Sequence, residues 1–167
     1  MKIGLISDTH GYLDEKVFEY FKEVDEVWHA GDVGSYEMIE KLEQFKPLVG
    51  VYGNIDNHKI RQVFPEDQHL ERDGMNIWMT HIGGKPPRYN PRTKPIVESL
   101  QPDLFICGHS HICAVMPDPK RKNVLYINPG AAGKQGFHKM RTIMRFDIDS
   151  GKLENLQVIE LGLRGKG

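Results

Sequence analysis

Cysteine is scarce in this chain: Cys107 and Cys113 are the two cysteines among 167 residues. Two cysteines cannot form the disulfide framework of a small secreted protein, so we expect both thiols to stay reduced. Long apolar runs are also missing, since none approaches the ~18 residues that a membrane-spanning helix needs. The N-terminal apolar segment meets a charge at Asp8, too early for a signal peptide. These absences predict a cytoplasmic protein with no membrane partner.

Charge of one sign is not in excess, because 22 basic and 23 acidic residues leave a net charge of −1. The chain also lacks a basic stripe with interleaved aromatic residues, the usual footprint of a protein that binds long nucleic acids. This pattern argues against a nuclease that acts on long chains. The length suits one domain spanning residues 1–167, and we expect residues 162–167 to form a frayed tail. The oligomeric state is open, with a homo-oligomer among the alternatives.

Apolar, β-rich runs alternate with helical patterns in the first 52 residues. Helices are predicted for residues 14–22 and 35–45, and a third for 96–100 after a loop rich in Pro and Gly at 83–95. The predicted strands are 2–7, 26–30, 47–52, 68–72, 75–80, 103–107, 114–116, 124–128, 141–147 and 153–161. We expect the first three to be parallel, because helices connect them, and the last four to be antiparallel. The sum is an α/β domain with a mixed β-sandwich.

Metal-binding side chains follow five of these apolar runs, each beside a turn. The five pieces are Asp8-Thr9-His10, Gly31-Asp32, Gly53-Asn54, His81 and Gly108-His109-Ser110-His111. Because the ligand site of a parallel sheet lies beyond the carboxyl ends of its strands, we expect these side chains to meet at one edge. Oxygen and nitrogen ligands without cysteine suit divalent ions such as Mn, Fe, Ni or Zn.

The number of candidate ligands favours two ions. One zinc site takes three or four ligands, whereas seven suit two ions about 3.5–4 Å apart that share a carboxylate. Asp32 is the natural bridge, because its two oxygens can reach two ions and Gly31 and Gly34 leave space around it. The predicted metal ligands are Asp8, His10, Asp32, Asn54, His81, His109 and His111.

The order Asp-x-His, Gly-Asp, Gly-Asn, His and Gly-His-x-His resembles that of the calcineurin-like metallophosphoesterases. The short length and the phrases HAGD, GNID and GHSH are similar to their small YfcE-type phosphodiesterase branch. The resemblance spans residues 1–133 and includes Asn128-Pro129-Gly130. It implies a four-layer αββα sandwich, in which two mixed β-sheets pack face to face with helices outside. It also implies that one ion is held by Asp8, His10, Asp32 and His111, and the other by Asp32, Asn54, His81 and His109.

Two divalent metal ions are the cofactor that this resemblance implies, manganese first, with Ni, Fe, Zn and Mg as alternatives. A hydroxide bridging the two ions would attack the phosphorus of a small phosphoester, above all a phosphodiester. Asn54 and His109 would be catalytic, because they lie where charge builds on the phosphoryl oxygens. Two alternatives stay open: a phosphomonoesterase or nucleotidase, and a non-catalytic protein-interaction scaffold of the same fold, as in a retromer subunit.

One position departs from the family pattern. Many members have a histidine directly after the Gly-Asn pair, proposed to protonate the leaving group, and this chain has Ile55 there. Isoleucine cannot transfer a proton, so the identity of the general acid is open. His58 is a candidate substitute, and a solvated loop histidine is the alternative reading. A leaving group of low pKa would need less protonation.

Further polar residues are candidates for supporting roles. Lys85 and Arg88 lie in segment 83–95, which holds no acid, and either could bind a substrate phosphate over the metals, unless the segment is a solvated loop. His29 is expected to be a satisfied core residue or to orient a ligand. Asp56 either holds the ligand loop in place or is solvated, and His138 is expected to face solvent.

Overall fold

Twelve strands and four helices follow one another along residues 1–165, which are the residues that this computed structural model describes. The helices are α1 (Lys16–Tyr20), α2 (Tyr36–Phe45), α3 (His58–Val63) and α4 (Thr93–Leu100). The first six strands are β1 (Lys2–Ile6), β2 (Glu26–His29), β3 (Leu48–Gly50), β4 (Asp67–Arg72), β5 (Met75–Thr80) and β6 (Gly84–Lys85). The others are β7 (Arg88–Tyr89), β8 (Leu104–Ile106), β9 (Ala114–Pro117), β10 (Leu125–Asn128), β11 (Met140–Asp149) and β12 (Lys152–Leu163).

The strands form two mixed five-stranded sheets and one small hairpin. The first sheet has the order β12-β11-β1-β2-β3, the second has the order β4-β5-β8-β10-β9, and β6 pairs with β7. Strands β1, β2 and β3 are parallel to one another, as are β5, β8 and β10. The other neighbours pair antiparallel. Each sheet thus contains three adjacent parallel strands, which lie at one side of the first sheet and at the centre of the second. The carboxyl ends of the strands in each set point to one edge of their sheet.

Alternating side chains divide each central strand between two layers. In β2, Trp28 packs between the two sheets, whereas Val27 packs under helices α1 to α3. In β5, Ile77 faces the space between the sheets, whereas Trp78 packs with Val97 of α4. One apolar layer thus joins the two sheets, and a further layer covers the outer face of each. The four-layer αββα sandwich of two mixed sheets is confirmed.

Two local predictions are wrong. The loop predicted at 83–95 contains the hairpin β6–β7 and the beginning of α4. Strand β10, expected to pair only antiparallel, forms a hairpin with β9 and is therefore also parallel to β8 on its other side. Helix α3 was not predicted, because six residues are too few to show helical periodicity. Its beginning is fixed by the Asn57 side chain, which accepts a hydrogen bond from Ile60 N at 3.2 Å.

The frayed tail expected at residues 162–167 is also wrong where the structure describes it. Strand β12 continues through Leu163, and Arg164 N donates to Lys139 O at 2.9 Å. The last two residues of that predicted tail, 166 and 167, lie outside the described residues. Within residues 1–165, no helix has the length and apolar character needed to cross a bilayer.

Candidate metal centre

The loops after β1 and β2 run side by side and continue the pairing of the two strands. Asp8 N donates to Gly31 O at 3.0 Å, and His10 N donates to Asp32 O at 3.0 Å. Each loop therefore fixes the other, in the way that neighbouring parallel strands do. This pairing places the two aspartates next to each other at the carboxyl edge of the first sheet.

Two hydrogen bonds join this edge to the second sheet. His109 N donates to Asp8 Oδ2 at 3.0 Å, and His81 Nδ1 lies 2.7 Å from the carbonyl oxygen of Ala30. A carbonyl oxygen can only accept, so Nδ1 of His81 carries the proton and its Nε2 is the free ligand atom. The site is thus built from both sheets.

Each aspartate has one carboxylate oxygen bound by the protein. Asp8 Oδ2 accepts from Ser7 Oγ at 2.7 Å as well as from His109 N. Asp32 Oδ1 accepts from Ile55 N at 3.1 Å. These bonds fix the orientation of both carboxylates, and the second oxygen of each faces the same small space.

The free oxygens and three histidine nitrogens converge in that space. Asp8 Oδ1 lies 3.1 Å from His111 Nε2, and Asp32 Oδ2 lies 3.2 Å from His81 Nε2 and 3.5 Å from His10 Nε2. Within the described part of the chain, Asp8 Oδ1, His10 Nε2 and His81 Nε2 are buried without a hydrogen-bond partner. Unpartnered buried polar atoms are costly, and a cation between them would satisfy all three. The donor set therefore fits a divalent metal.

The ligand atoms fall into two groups, in each of which they lie within 4.8 Å of one another. The first group is Asp8, His10 and His111, and the second is Asp32, His81 and His109. This grouping follows the division that the family resemblance implies. Asn54 is exposed and lines a cavity of about 540 Å³ together with His81.

The backbone of the site is held in a conformation that side chains other than glycine rarely adopt. Positive φ angles occur at Asp8 (53°), His10 (47°), Asp32 (53°), His109 (66°) and His111 (61°). They are five of the nine non-glycine residues in residues 1–165 with positive φ. Such a conformation costs about 1–3 kcal/mol per residue and persists only where surrounding contacts enforce it. The strain is concentrated on the candidate ligands.

The loop after β3 is fastened to the loop after β2 by a buried carboxylate. Asp56 Oδ2 accepts from Val33 N at 3.1 Å and from Gly53 N at 2.8 Å, and its Oδ1 accepts from Gly34 N at 2.8 Å. A Cβ at position 53 would overlap the Asp32 side chain, so glycine is required for this approach. Of the two alternatives left open for Asp56, the structure shows the one that holds the loop.

His29 uses both ring nitrogens to fix the backbone beneath the aspartates. Thr9 Oγ1 donates to Val33 O at 2.9 Å, so it accepts from His29 Nε2, also at 2.9 Å. The other nitrogen, Nδ1, accepts from Gly31 N at 3.1 Å. Burial lowers the pKa of His29 to about 4, so the ring is neutral at physiological pH. The hydrogen bonds of this histidine thus go to Thr9 and to the backbone of Gly31, and they support the ligand loops.

The expectation that His138 faces solvent is wrong. Its Nε2 lies 2.9 Å from Gly133 O and therefore donates, while its Nδ1 lies 3.2 Å from Nδ1 of His111. Burial lowers the pKa of His138, so its ring is neutral and its Nδ1 accepts the proton of His111. That leaves Nε2 of His111 as the free ligand atom. Sequence spacing could not reveal this contact, because 27 residues separate the two histidines.

The charges of the second group depend on one another. Burial opposes ionisation of Asp32 and of His81, but their close contact lowers the pKa of Asp32 and raises the pKa of His81. At His109, burial lowers the pKa, which favours the neutral ring that a metal requires. A proton on His81 and a metal ion compete for the same nitrogen.

The remaining predicted site residues lie outside these two groups. His58 begins α3, is exposed, and has its Nε2 3.0 Å from Nε2 of Gln62. Lys85 and Arg88 belong to the hairpin β6–β7 and line a second cleft, which they share with His109. The structure therefore places these two cations beside one group of ligands.

A family model described as the calcineurin-like phosphoesterase superfamily domain matches residues 1–151. The chain belongs to this superfamily. The resemblance to the calcineurin-like metallophosphoesterases is therefore confirmed.

Two archaeal relatives match most of this calcineurin-like phosphoesterase. A protein of Methanocaldococcus jannaschii named "Probable metallophosphoesterase" is 31% identical over 160 residues, which cover 92% of this chain and 79% of that protein. A second protein of the same organism, named phosphodiesterase, is 27% identical over 146 residues, covering 78% of this chain and 83% of the relative.

Solved structures show the same fold at low sequence identity. Vps29 of Entamoeba histolytica, complexed with Zn²⁺, has a TM-score of 0.73 at 16% identity, covering 99% of this chain and 100% of that one. The phosphoesterase Yfce of E. coli has a TM-score of 0.61 at 20% identity, covering 94% of this chain and 98% of that one. These likenesses bear on the fold alone.

Replacing Asp32 by Asn should deplete the site of metal. The change removes the negative charge of Asp32, whose Oδ2 lies 3.2 Å from His81 Nε2 and 3.5 Å from His10 Nε2, so bound manganese should fall by one ion per chain or more. Elemental analysis of manganese-loaded, dialysed protein measures this. Asp73→Asn is a matched control, because Asp73 is also an aspartate with positive φ (48°) but is exposed in a hairpin turn. As much bound manganese in Asp32→Asn as in the wild type would contradict the assignment.

Replacing His138 by Ala should weaken the binding of metal at His111. His111 would lose the acceptor for its Nδ1 proton, and such changes around a ligand cost about 10–100-fold in metal affinity. Calorimetric titration with manganese measures this, and His138→Asn, which keeps an acceptor, should restore part of the loss. His69→Ala, at an exposed histidine of β4, should leave the affinity for manganese unchanged. Equal titrations for His138→Ala and wild type would show that the contact has no role.

Proposed function

We propose that this calcineurin-like phosphoesterase is a phosphodiesterase that uses two divalent metal ions, with manganese as the first candidate. The observation that carries the proposal is the convergence of Asp8 Oδ1, His10 Nε2 and His81 Nε2, three buried atoms without a hydrogen-bond partner in the described chain. A pure scaffold would have no use for such atoms, because leaving them unpaired costs stability. The relative named phosphodiesterase supports the same reading.

One ion would be held by the group around Asp8 and the other by the group around His81, with Asp32 shared and Asn54 completing the second. When bound, the pair would supply a hydroxide nucleophile near neutral pH and neutralise the phosphoryl group. Asp8 and Asp32 are already oriented by their backbone hydrogen bonds. The residues therefore provide fixed ligands that need no rearrangement.

The cavity beside Asn54 is suited to an anionic phosphoryl group. Arg61 lines it, with its Nε donating to Asp56 O at 2.8 Å and its guanidinium 4.4 Å from the Tyr52 ring centroid. Arg92 also lines it, but its charge is paired with Asp67 at 2.9 Å. Arg61 had no signal in the sequence motifs, and its position depends on helix α3. Its guanidinium and the amide of Asn54 would both face the substrate's phosphoryl oxygens.

A diester suits the site better than a monoester for two reasons. Two cavities flank the ligand groups, one beside His81 and one beside His109, so each ester arm has its own space. Ile55 offers only its backbone N–H, which is used by Asp32, and its side chain is 45% exposed. The leaving arm would then depart as the anion of a fairly acidic alcohol or phenol. We therefore favour aryl and similar diesters over simple alkyl monoesters.

The first test is turnover of bis-p-nitrophenyl phosphate by the manganese-loaded protein. Asn54→Ala should lower kcat by about 100-fold or more, because a donor to the developing charge is lost. His58→Ala is the control, since its exposed ring faces Gln62, and should keep the wild-type kcat. If the wild type binds metal but hydrolyses none of a panel of diesters, monoesters and nucleotides, the scaffold alternative replaces this proposal.

The second test restores the missing proton donor. Ile55→His should raise kcat for diesters with poor leaving groups by about 100-fold, the low end of general acid catalysis, and change kcat for p-nitrophenyl esters far less. Rates measured over a series of substituted phenyl esters should therefore depend less steeply on leaving-group pKa than in the wild type. Ile55→Leu, which adds no titratable group, is the control. An unchanged slope would mean that leaving-group protonation does not limit the rate.

A further inference from the structure

A second cleft opens on the other side of His109. Its volume is about 460 Å³, in the range of small-molecule sites, and its walls come from the hairpin β6–β7, the loop after β8 and strand β9. Ile82 and Ile112 line it although they are 38% and 62% exposed, and the half-buried Met116 lies beside them. Large apolar side chains left open to water in a concave surface indicate a place for an apolar ligand.

The same cleft carries two uncompensated positive charges. Lys85 and Arg88 line it, and neither side chain has a carboxylate partner within residues 1–165. Two nearby arginines, by contrast, are paired with carboxylates: Arg92 with Asp67 at 2.9 Å, and Arg121 with Asp118 at 3.2 Å. No acidic side chain is among the described residues that line the cleft. Its ligand must therefore combine an apolar body with negative charge.

The cleft is continuous with the metal centre. His109 belongs to the ligand group of Asp32 and His81 and also lines the cleft. A phosphoryl group bound at that group would have one ester arm directed past His109 into the cleft. Ile82 lines both this cleft and the cavity beside Asn54, so it lies between the spaces available to the two arms.

We propose that this cleft binds an aromatic ester arm that carries an additional anionic group, as in a nucleotide-like phosphodiester. The ring packs against Ile82, Ile112 and Met116, and Lys85 and Arg88 bind the anionic group. The inference rests on the proposed phosphodiesterase function and adds the substrate class. In this arrangement, Lys85 and Arg88 bind the far end of an ester arm and do not bind the phosphate over the metals.

Three diesters with the same p-nitrophenyl leaving group test the inference: the ethyl ester, the thymidine 5′-ester, and the thymidine 5′-ester with a 3′-phosphate. The wild type should show kcat/KM rising about tenfold or more at each step, mainly through a lower KM. Ile112→Ser should reduce the thymidine-to-ethyl ratio toward one. Arg88→Ala should remove the further gain from the 3′-phosphate.

Two controls carry changes of the same kind outside the cleft. Val115→Ser lies next to the cleft on β9, is 44% exposed and does not line it, so it should keep every ratio and the basal activity. Lys122→Ala removes a positive charge outside the cleft, so it should also keep every ratio and the basal activity. Equal kcat/KM for all three esters in the wild type would overturn the cleft assignment while leaving the phosphodiesterase function intact.

A binding measurement separates the two proposals if no ester is turned over. Calorimetric titration of manganese-loaded protein with thymidine 3′,5′-bisphosphate should give a Kd about tenfold or more weaker for Ile112→Ser and for Arg88→Ala than for wild type. That result would retain the cleft as a binding site although the hydrolytic function had failed. Identical Kd values for wild type and both variants would overturn the cleft inference.

Discussion

Two buried carboxylates face the same small space, and most of the site follows from the need to neutralise them. Asp8 and Asp32 each give one oxygen to backbone or hydroxyl donors and direct the other at histidine nitrogens. At 4 Å, two like charges repel by about 4 kcal/mol at an effective dielectric constant of 20. Positive charge must therefore enter this space, as a proton on His81 or as a metal ion.

Both β-sheets contribute to holding the two carboxylates in this unfavourable arrangement. The first sheet brings the aspartates together through paired loops, and the second supplies His81 and His109. Left-handed backbone at five candidate ligands is the local cost of directing so many side chains to one point. Neutral His29 and His138 hold the loops without adding charge of their own. The residues that hold the loops rigid are thus different from those that balance the charge of the aspartates.

The sequence predicts the placement of candidate ligands where they directly follow a strand. An aspartate or histidine after a buried strand, as at Asp32, can be placed because parallel strands share an edge. The sequence does not predict roles that depend on contacts between residues far apart in the chain. The link from His138 to His111, the position of Arg61 on a six-residue helix, and the cleft between β6–β7 and β9 all arise from tertiary packing. No periodicity or sequence motif predicts these three features, so they can be recognised only in the folded structure.

Ile82 lines two cavities: one beside Asn54, which also contains Arg61, and one beside His109, which combines apolar side chains with Lys85 and Arg88. Because Ile82 is the one described residue that lines both, a change at any other lining residue alters only one of the two cavities directly. The two arms of the proposed diester would therefore be recognised by largely separate sets of residues. A lineage carrying this fold could exchange one half of its ligand for another while the catalytic centre and the opposite half stayed as they were.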